Sequence, residues 1–175
     1  LLVIAKDEQT HARLAKQFFD HTIQRRYVAL VWGNFEEDEG TITGNIGRSP
    51  RERQKMYVFA DGSDGKHAVT HWKVLKRYGY VTLVECRLET GRTHQIRVHM
   101  SALGYPLAGD QLYYPAFSDT KIKRQALHSH RLSFSHPVTG EMLTFTSPLP
   151  CDMAALIDPE PSAHRGSSLP AVLRG

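Results

Sequence analysis

Ten consecutive residues, Gly91-Arg92-Thr93-His94-Gln95-Ile96-Arg97-Val98-His99-Met100, form the densest polar constellation in the chain. They join a strand-like apolar run (Val81, Leu83, Val84) to an amphipathic helix that carries Ile96, Met100 and Leu103 on one face. Arg92 and His94 therefore stand at a helix N-terminus, where the helix dipole disfavours positive charge by a few tenths to ~1 kcal/mol. Stability alone would place Asp or Glu there. The arrangement makes sense if an anion arrives, a carboxylate, a phosphate or both. The competing reading has Thr93 cap the helix and Arg92 pair with a nearby Glu. Broken local rules tend to mark sites, so the anion reading is preferred.

Two further groups of basic residues could serve the same chemistry. Arg48, Arg51 and Arg53, with Lys55, lie between strand-like runs and should project as a loop. Lys121, Lys123 and Arg124 precede His128, His130 and Arg131. These are either solvated loops or the footprint of a phosphate backbone, and charge alone does not choose. The ten histidines include His67/His71 and His128/His130, but no ligand motif accompanies either pair, so no metal is expected.

Positioning these residues takes a sequence of short elements. Asp7 heads a helix with Leu14, Phe18 and Phe19 at helical spacing, and Leu1–Lys6 before it is an apolar run of strand length. Strand-like runs follow at 26–32, 41–46, 55–60, 68–75 and 80–88, then a helix over 93–103 closed by Gly104. The last third offers strands at 127–134 and 142–145 around His136-Pro137-Val138-Thr139-Gly140, and a short helix at about 152–156. The order is not alternating βαβ. It predicts an α+β fold, a mixed, mainly antiparallel sheet with flanking helices. Residues 1–157 are read as one domain and 158–175, rich in Pro, Ser, Gly and Arg, as a flexible tail.

The chain's 175 residues fit one domain, and 41% apolar with 23% charged residues excludes a disordered or fibrous protein. No run approaches the roughly eighteen apolar residues of a membrane helix. Twenty-two Lys+Arg against eighteen Asp+Glu give +4, a balance that permits a polyanionic partner. Cys86 and Cys151 lie far apart, as expected of reduced thiols in the cytoplasm. The start at Leu1, already inside an apolar stretch, reads as a cut into an existing fold.

Gly91–Met100, continued by Ser101-Ala102-Leu103-Gly104-Tyr105-Pro106-Leu107-Ala108-Gly109-Asp110, closely resembles the RluA family of pseudouridine synthases. Three more stretches agree in order: Leu1–Lys6, Arg26-Tyr27-Val28-Ala29-Leu30-Val31-Trp32-Gly33, and Arg124-Gln125-Ala126-Leu127-His128 with His136-Pro137 and Thr139-Gly140-Glu141. The resemblance implies an isomerase that converts uridine to pseudouridine in structured RNA, without metal or organic cofactor. Ribosomal RNA is the expected substrate and transfer RNA the alternative, for a protein acting as a cytoplasmic monomer. The family's catalytic Asp sits in H-R-L-D-x-x-T-S-G-L, whose final Leu matches Leu1. That Asp is then expected just upstream, leaving this chain inactive by itself.

By the same resemblance, Tyr27 lies against the target base and Arg92 pairs with the catalytic Asp. Leu127 forms pocket wall. His94, Gln95 and Arg97 are expected at the RNA backbone or in the motif's own hydrogen bonds. Without the resemblance, Tyr27 reads as a core tyrosine and Leu127 as ordinary strand packing. The rival functional reading is an RNA-binding module without catalysis.

Overall fold

The computed structural model describes residues 1–117 and 121–158. Helix α1 (Glu8–Phe19) precedes strands β1 (Gln24–Trp32), β2 (Glu39–Arg48), β3 (Met56–Phe59), β4 (Lys66–Arg77) and β5 (Val81–Leu88). Helix α2 (Gln95–Ala102), a 3-10 turn (Pro115–Phe117), β6 (Leu127–Ser135), β7 (Met142–Thr146) and α3 (Cys151–Ile157) complete it. The strands form one seven-stranded sheet in the order β3-β2-β4-β5-β1-β6-β7. Every strand pair among the described residues is antiparallel, in keeping with the α+β fold read from the sequence.

Local chemistry explains the elements. The Asp7 carboxylate accepts the Thr10 N–H at 2.7 Å and caps α1, a contact worth ~1 kcal/mol. In β1, Val28, Ala29, Leu30 and Val31 are all buried, which requires cover on both faces because successive side chains alternate. Ala29 and Val31 pack with Ile96 and Met100 of α2, together with Trp72, Val84 and Cys86. Val28 and Leu30 pack on the opposite face with Ile122, Ala126 and Met153 of α3. Burial pushes the Cys86 thiol up to about 12, so it packs as an inert apolar group.

Three details depart from the sequence reading. Leu1–Lys6 is not a strand: Val3 and Ala5 lean on Leu14, Ile23 and Leu132, while Leu2 and Ile4 are exposed. The run alternates like a strand but has no ladder partner among the described residues. Phe19 points into solvent, one step round the helix from Phe18, over which the Arg25 guanidinium sits at 5.7 Å. Helix α2 starts two residues later than expected and ends before Leu103, which is partly exposed; Gly104, at φ +87°, turns the chain away. The expected tail lies, beyond Asp158, outside the described residues. No helix among the described residues is long and apolar enough to cross a membrane.

Candidate active site

A cavity of ≈ 320 Å³ opens where β1, the end of β5, the start of α2 and the start of β6 converge, at the small end of the range for ligand pockets. Its lining brings together Tyr27, Arg92, His94, Gln95, Arg97 and Leu127 with Leu88, Ile96 and Gln125. These six residues, 100 positions apart from first to last, are the ones singled out from the sequence around Tyr27 and the Gly91 segment.

The sheet aims Tyr27. It pairs with Cys86 on one side and Ser129 on the other, and the register with β6 shifts between Arg26 and Tyr27. The extra residue, His130, lies in β6, and it is this bulged strand that bends beside Tyr27. The half-buried ring packs beside Leu88 and Leu127, and its hydroxyl makes no hydrogen bond among the described residues. Ser129 also accepts a bond of 2.9 Å from the Leu1 amine, so the first residue of the chain lies beside the strand position opposite Tyr27.

Gln95 organises the α2 terminus. Its side-chain oxygen accepts from the Thr90 hydroxyl (2.7 Å) and the Arg92 N–H (2.9 Å). Its amide donates to the Val69 carbonyl (2.9 Å) and the Thr70 hydroxyl (3.0 Å). Thr93 is exposed, and the cap position belongs to His94, in the left-handed region at φ +56°. A non-glycine residue there carries backbone strain of order 1 kcal/mol, a feature that clusters at functional sites. Arg92 donates from Nε to the His67 carbonyl at 2.9 Å. No carboxylate pairs with it among the described residues, so Arg92 lines the cavity with its charge uncompensated. Gly91 makes room beside it: a Cβ there would lie 2.5 Å from Arg25 Nη1.

Three of the candidate residues have partners within the protein. Gln95 is buried with both oxygen lone pairs and both N–H groups engaged within the protein, the motif's own hydrogen bonds of the two alternatives, and it braces the site. Arg97 binds the buried carboxylate of Asp110 through Nε (2.7 Å) and Nη2 (2.8 Å), so it too takes part in the motif's own hydrogen bonds. Arg124 is likewise engaged, with two bonds of 2.8 Å to Asp152 and two more to the carbonyls of Gln125 and Leu127. It fastens α3 to the strand that carries Leu127.

The remaining basic residues lie on the periphery. Arg51 and Arg53 are exposed in the β2–β3 loop, where Arg48 Nη1 donates to the Arg53 carbonyl at 3.3 Å. Lys121 and Lys123 are exposed ahead of β6. Burial pushes the His94 imidazole below its ordinary range; the positive charges of Arg97 and Arg48 add to this and Asp110 opposes it.

Sequence reasoning missed the supporting residues: Thr70, Thr90, His99, Tyr113 and the partnered role of Asp110. His99 is fully buried, with Nδ1 2.9 Å from the Thr70 hydroxyl, and burial lowers it to about 4. Its spacing of three from Ile96 on the apolar face of α2 was the available signal. Among the described residues, no group of three or more His, Cys, Asp or Glu could hold a metal ion.

Comparison with known proteins identifies the cavity's company. Residues 1–102 match the family model described as RNA pseudouridylate synthase. The uncharacterized RNA pseudouridine synthase YlyB of Bacillus subtilis is 51% identical over 158 residues, covering 90% of this chain and 51% of the relative. Ribosomal large subunit pseudouridine synthase D of Zymomonas mobilis is 44% identical over 163 residues, covering 89% and 51%. The chain thus spans about half the length of these curated relatives. Human RNA Pseudouridylate Synthase Domain Containing 1 superposes with a TM-score of 0.72 at 30% identity, over 82% of this chain and 62% of that one. Human RNA Pseudouridylate Synthase Domain Containing 4, at 22% identity and a TM-score of 0.68 over 85% and 66%, shares the fold. With the whole Tyr27-to-α2 framework inside the matched residues, the chain belongs to the RNA pseudouridylate synthase family.

Proposed function

We propose that this chain supplies the uridine-receiving cavity of an RNA uridine isomerase, acting on structured RNA and on ribosomal RNA in particular. The observation that carries this reading is the cavity itself: an aromatic ring (Tyr27) and apolar walls (Leu88, Leu127) beside the uncompensated Arg92. A stacked uridine is out of reach, so it must swing out of the RNA at a cost of a few kcal/mol. Stacking on an aromatic ring returns ~1–3 kcal/mol. Arg51, Arg53, Lys121 and Lys123 would hold the flanking phosphates.

The isomerisation breaks the bond from ribose C1′ to uracil N1 and forms one to C5. The C5 hydrogen leaves as a proton and N1 gains one, so the reaction balances without metal or cofactor. In this reading Arg92 pairs with a catalytic Asp and holds it ionised, and Tyr27 takes the C5 proton as the phenolate, having first given its own hydroxyl proton to water, which returns one to N1. No Asp or Glu is among the cavity-lining residues. In this reading the carboxylate is supplied from outside this cavity lining, where the family resemblance puts it ahead of Leu1. The protein is taken to act as a cytoplasmic monomer, where Cys86 and Cys151 stay reduced.

The same lack of a cavity carboxylate favours a second reading for the isolated chain, an RNA-binding module without catalysis. Incubating ribosomal RNA with the chain, and with a longer protein that adds the preceding segment, separates the two. Pseudouridine is detected as base-resistant adducts. The isomerase reading expects none with the chain alone and formation with the longer protein; inactivity of both would favour the binding module.

A further inference from the structure

Tyr113 has no part in the chemistry above, yet its phenol sits where three segments meet. Its oxygen accepts the N–H of Met56, the first residue of β3, at 2.8 Å. The same oxygen lies 3.1 Å from His94 Nδ1, and the two rings meet edge-on with centroids 5.7 Å apart. The Arg97 guanidinium covers the Tyr113 ring at 5.0 Å and is itself held by Asp110. Asp110 also accepts the backbone N–H groups of Leu112 and Tyr113, so the phenol is fixed from several sides.

A phenol has one proton to give. Its oxygen accepts from Met56, and no other acceptor for its O–H is present among the described residues, so the proton is satisfied when His94 Nδ1 presents a lone pair. A neutral imidazole in this setting carries its hydrogen on Nε2. His94 lines the cavity and Tyr113 does not. With Nδ1 engaged by Tyr113, Nε2 is the ring nitrogen left without a partner among the described residues and free to donate to a ligand.

We propose that Tyr113 is a positioning residue that locks His94 in the Nε2–H tautomer, so that this N–H is offered to a carbonyl oxygen of the base in the cavity. The proposal rests on the reading of that cavity as the uridine site. A neutral donor suits a carbonyl oxygen, while the arginines answer the phosphates. His94 also holds a left-handed backbone conformation, a strain of the kind that clusters at functional sites.

The test is a long-range proton–nitrogen correlation spectrum of the histidine-labelled chain, with and without a uridine-containing RNA hairpin. The expected wild-type spectrum shows His94 Nδ1 unprotonated and Nε2 protonated, with the Nε2 signal moving when RNA is added. Tyr113→Phe keeps the ring under Arg97 but removes the proton. It should mix the two tautomers and weaken RNA binding roughly three- to tenfold, as loss of one oriented hydrogen bond does. A protonated Nδ1 in the wild-type chain overturns the proposal whether or not the variant folds. So does a Tyr113→Phe chain with unchanged tautomer and affinity. If the lock is seen but RNA leaves every cavity signal of the wild type unmoved, the uridine-site reading fails, and the carbonyl contact with it.

Discussion

Arg97 and Asp110 are joined by two parallel hydrogen bonds, 2.7 and 2.8 Å long, with the carboxylate side chain only 1% exposed. This pair ties α2 to the loop that follows it. The Asp110 carboxylate, first through its hydrogen bond, raises the Arg97 guanidinium above its already high range, against the opposing effect of burial. Removing one partner strands a buried charge, whereas replacing both with apolar groups does not. Arg97→Ala should therefore cost about 3–5 kcal/mol of stability, and Arg97→Met with Asp110→Leu clearly less. Urea unfolding of the variants measures this; a loss under about 1 kcal/mol for Arg97→Ala would return that arginine to the RNA-binding candidates.

His99 makes stability depend on pH. Burial lowers its folded value to about 4, against about 6.5 in an unfolded chain. Between those values the unfolded state takes up a proton that the folded state refuses. The contribution is complete above about 6.5 and is lost as pH falls toward 4, on the order of 3 kcal/mol in all. Urea midpoints at about pH 7 and about pH 5 should differ for the wild type, and the difference should shrink in His99→Gln. An equal fall in both chains would assign the effect to carboxylates instead.

The β2–β3 loop offers a test by salt. If Arg48, Arg51 and Arg53 meet phosphates, replacing all three with Gln should lower the log–log salt slope of RNA binding by about 2 to 3, at roughly 0.7 to 0.9 per contact. An unchanged slope would make the loop a solvated surface. Lys121→Gln with Lys123→Gln gives the corresponding reading ahead of β6.

The sheet and the cavity were legible for different reasons. Four buried residues in a row at Val28–Val31, bounded by Gly33, mark a central strand because only such a strand is covered on both faces. Cavity residues were legible because Arg92 and His94 break the rule against cations at a helix start. Partners were not. A guanidinium in sequence looks the same whether it will meet a phosphate, as proposed for Arg51, or a buried carboxylate 13 residues away, as Arg97 does. Gln95 hid its bracing role likewise, since its partners Val69 and Thr70 reach it only after β4 and β5 have paired. Leu1–Lys6 has strand composition without a ladder, and composition does not report whether a neighbour is present.

Tyr27 carries the central claim, and one atom separates its two roles. If the ring only stacks, Tyr27→Phe in the longer protein should retain most activity while Tyr27→Ala loses ~1–3 kcal/mol of binding to the base. If the phenol oxygen takes the C5 proton, both variants should fall similarly, by ~10²–10⁴ in rate. The decisive measurement is single-turnover pseudouridine formation in ribosomal RNA by the wild type and both variants of that longer protein. The account predicts that both variants are slowed to a similar extent. A near-normal Tyr27→Phe would leave the ring only its stacking role, and a near-normal Tyr27→Ala would contradict the assignment of this cavity to the uridine.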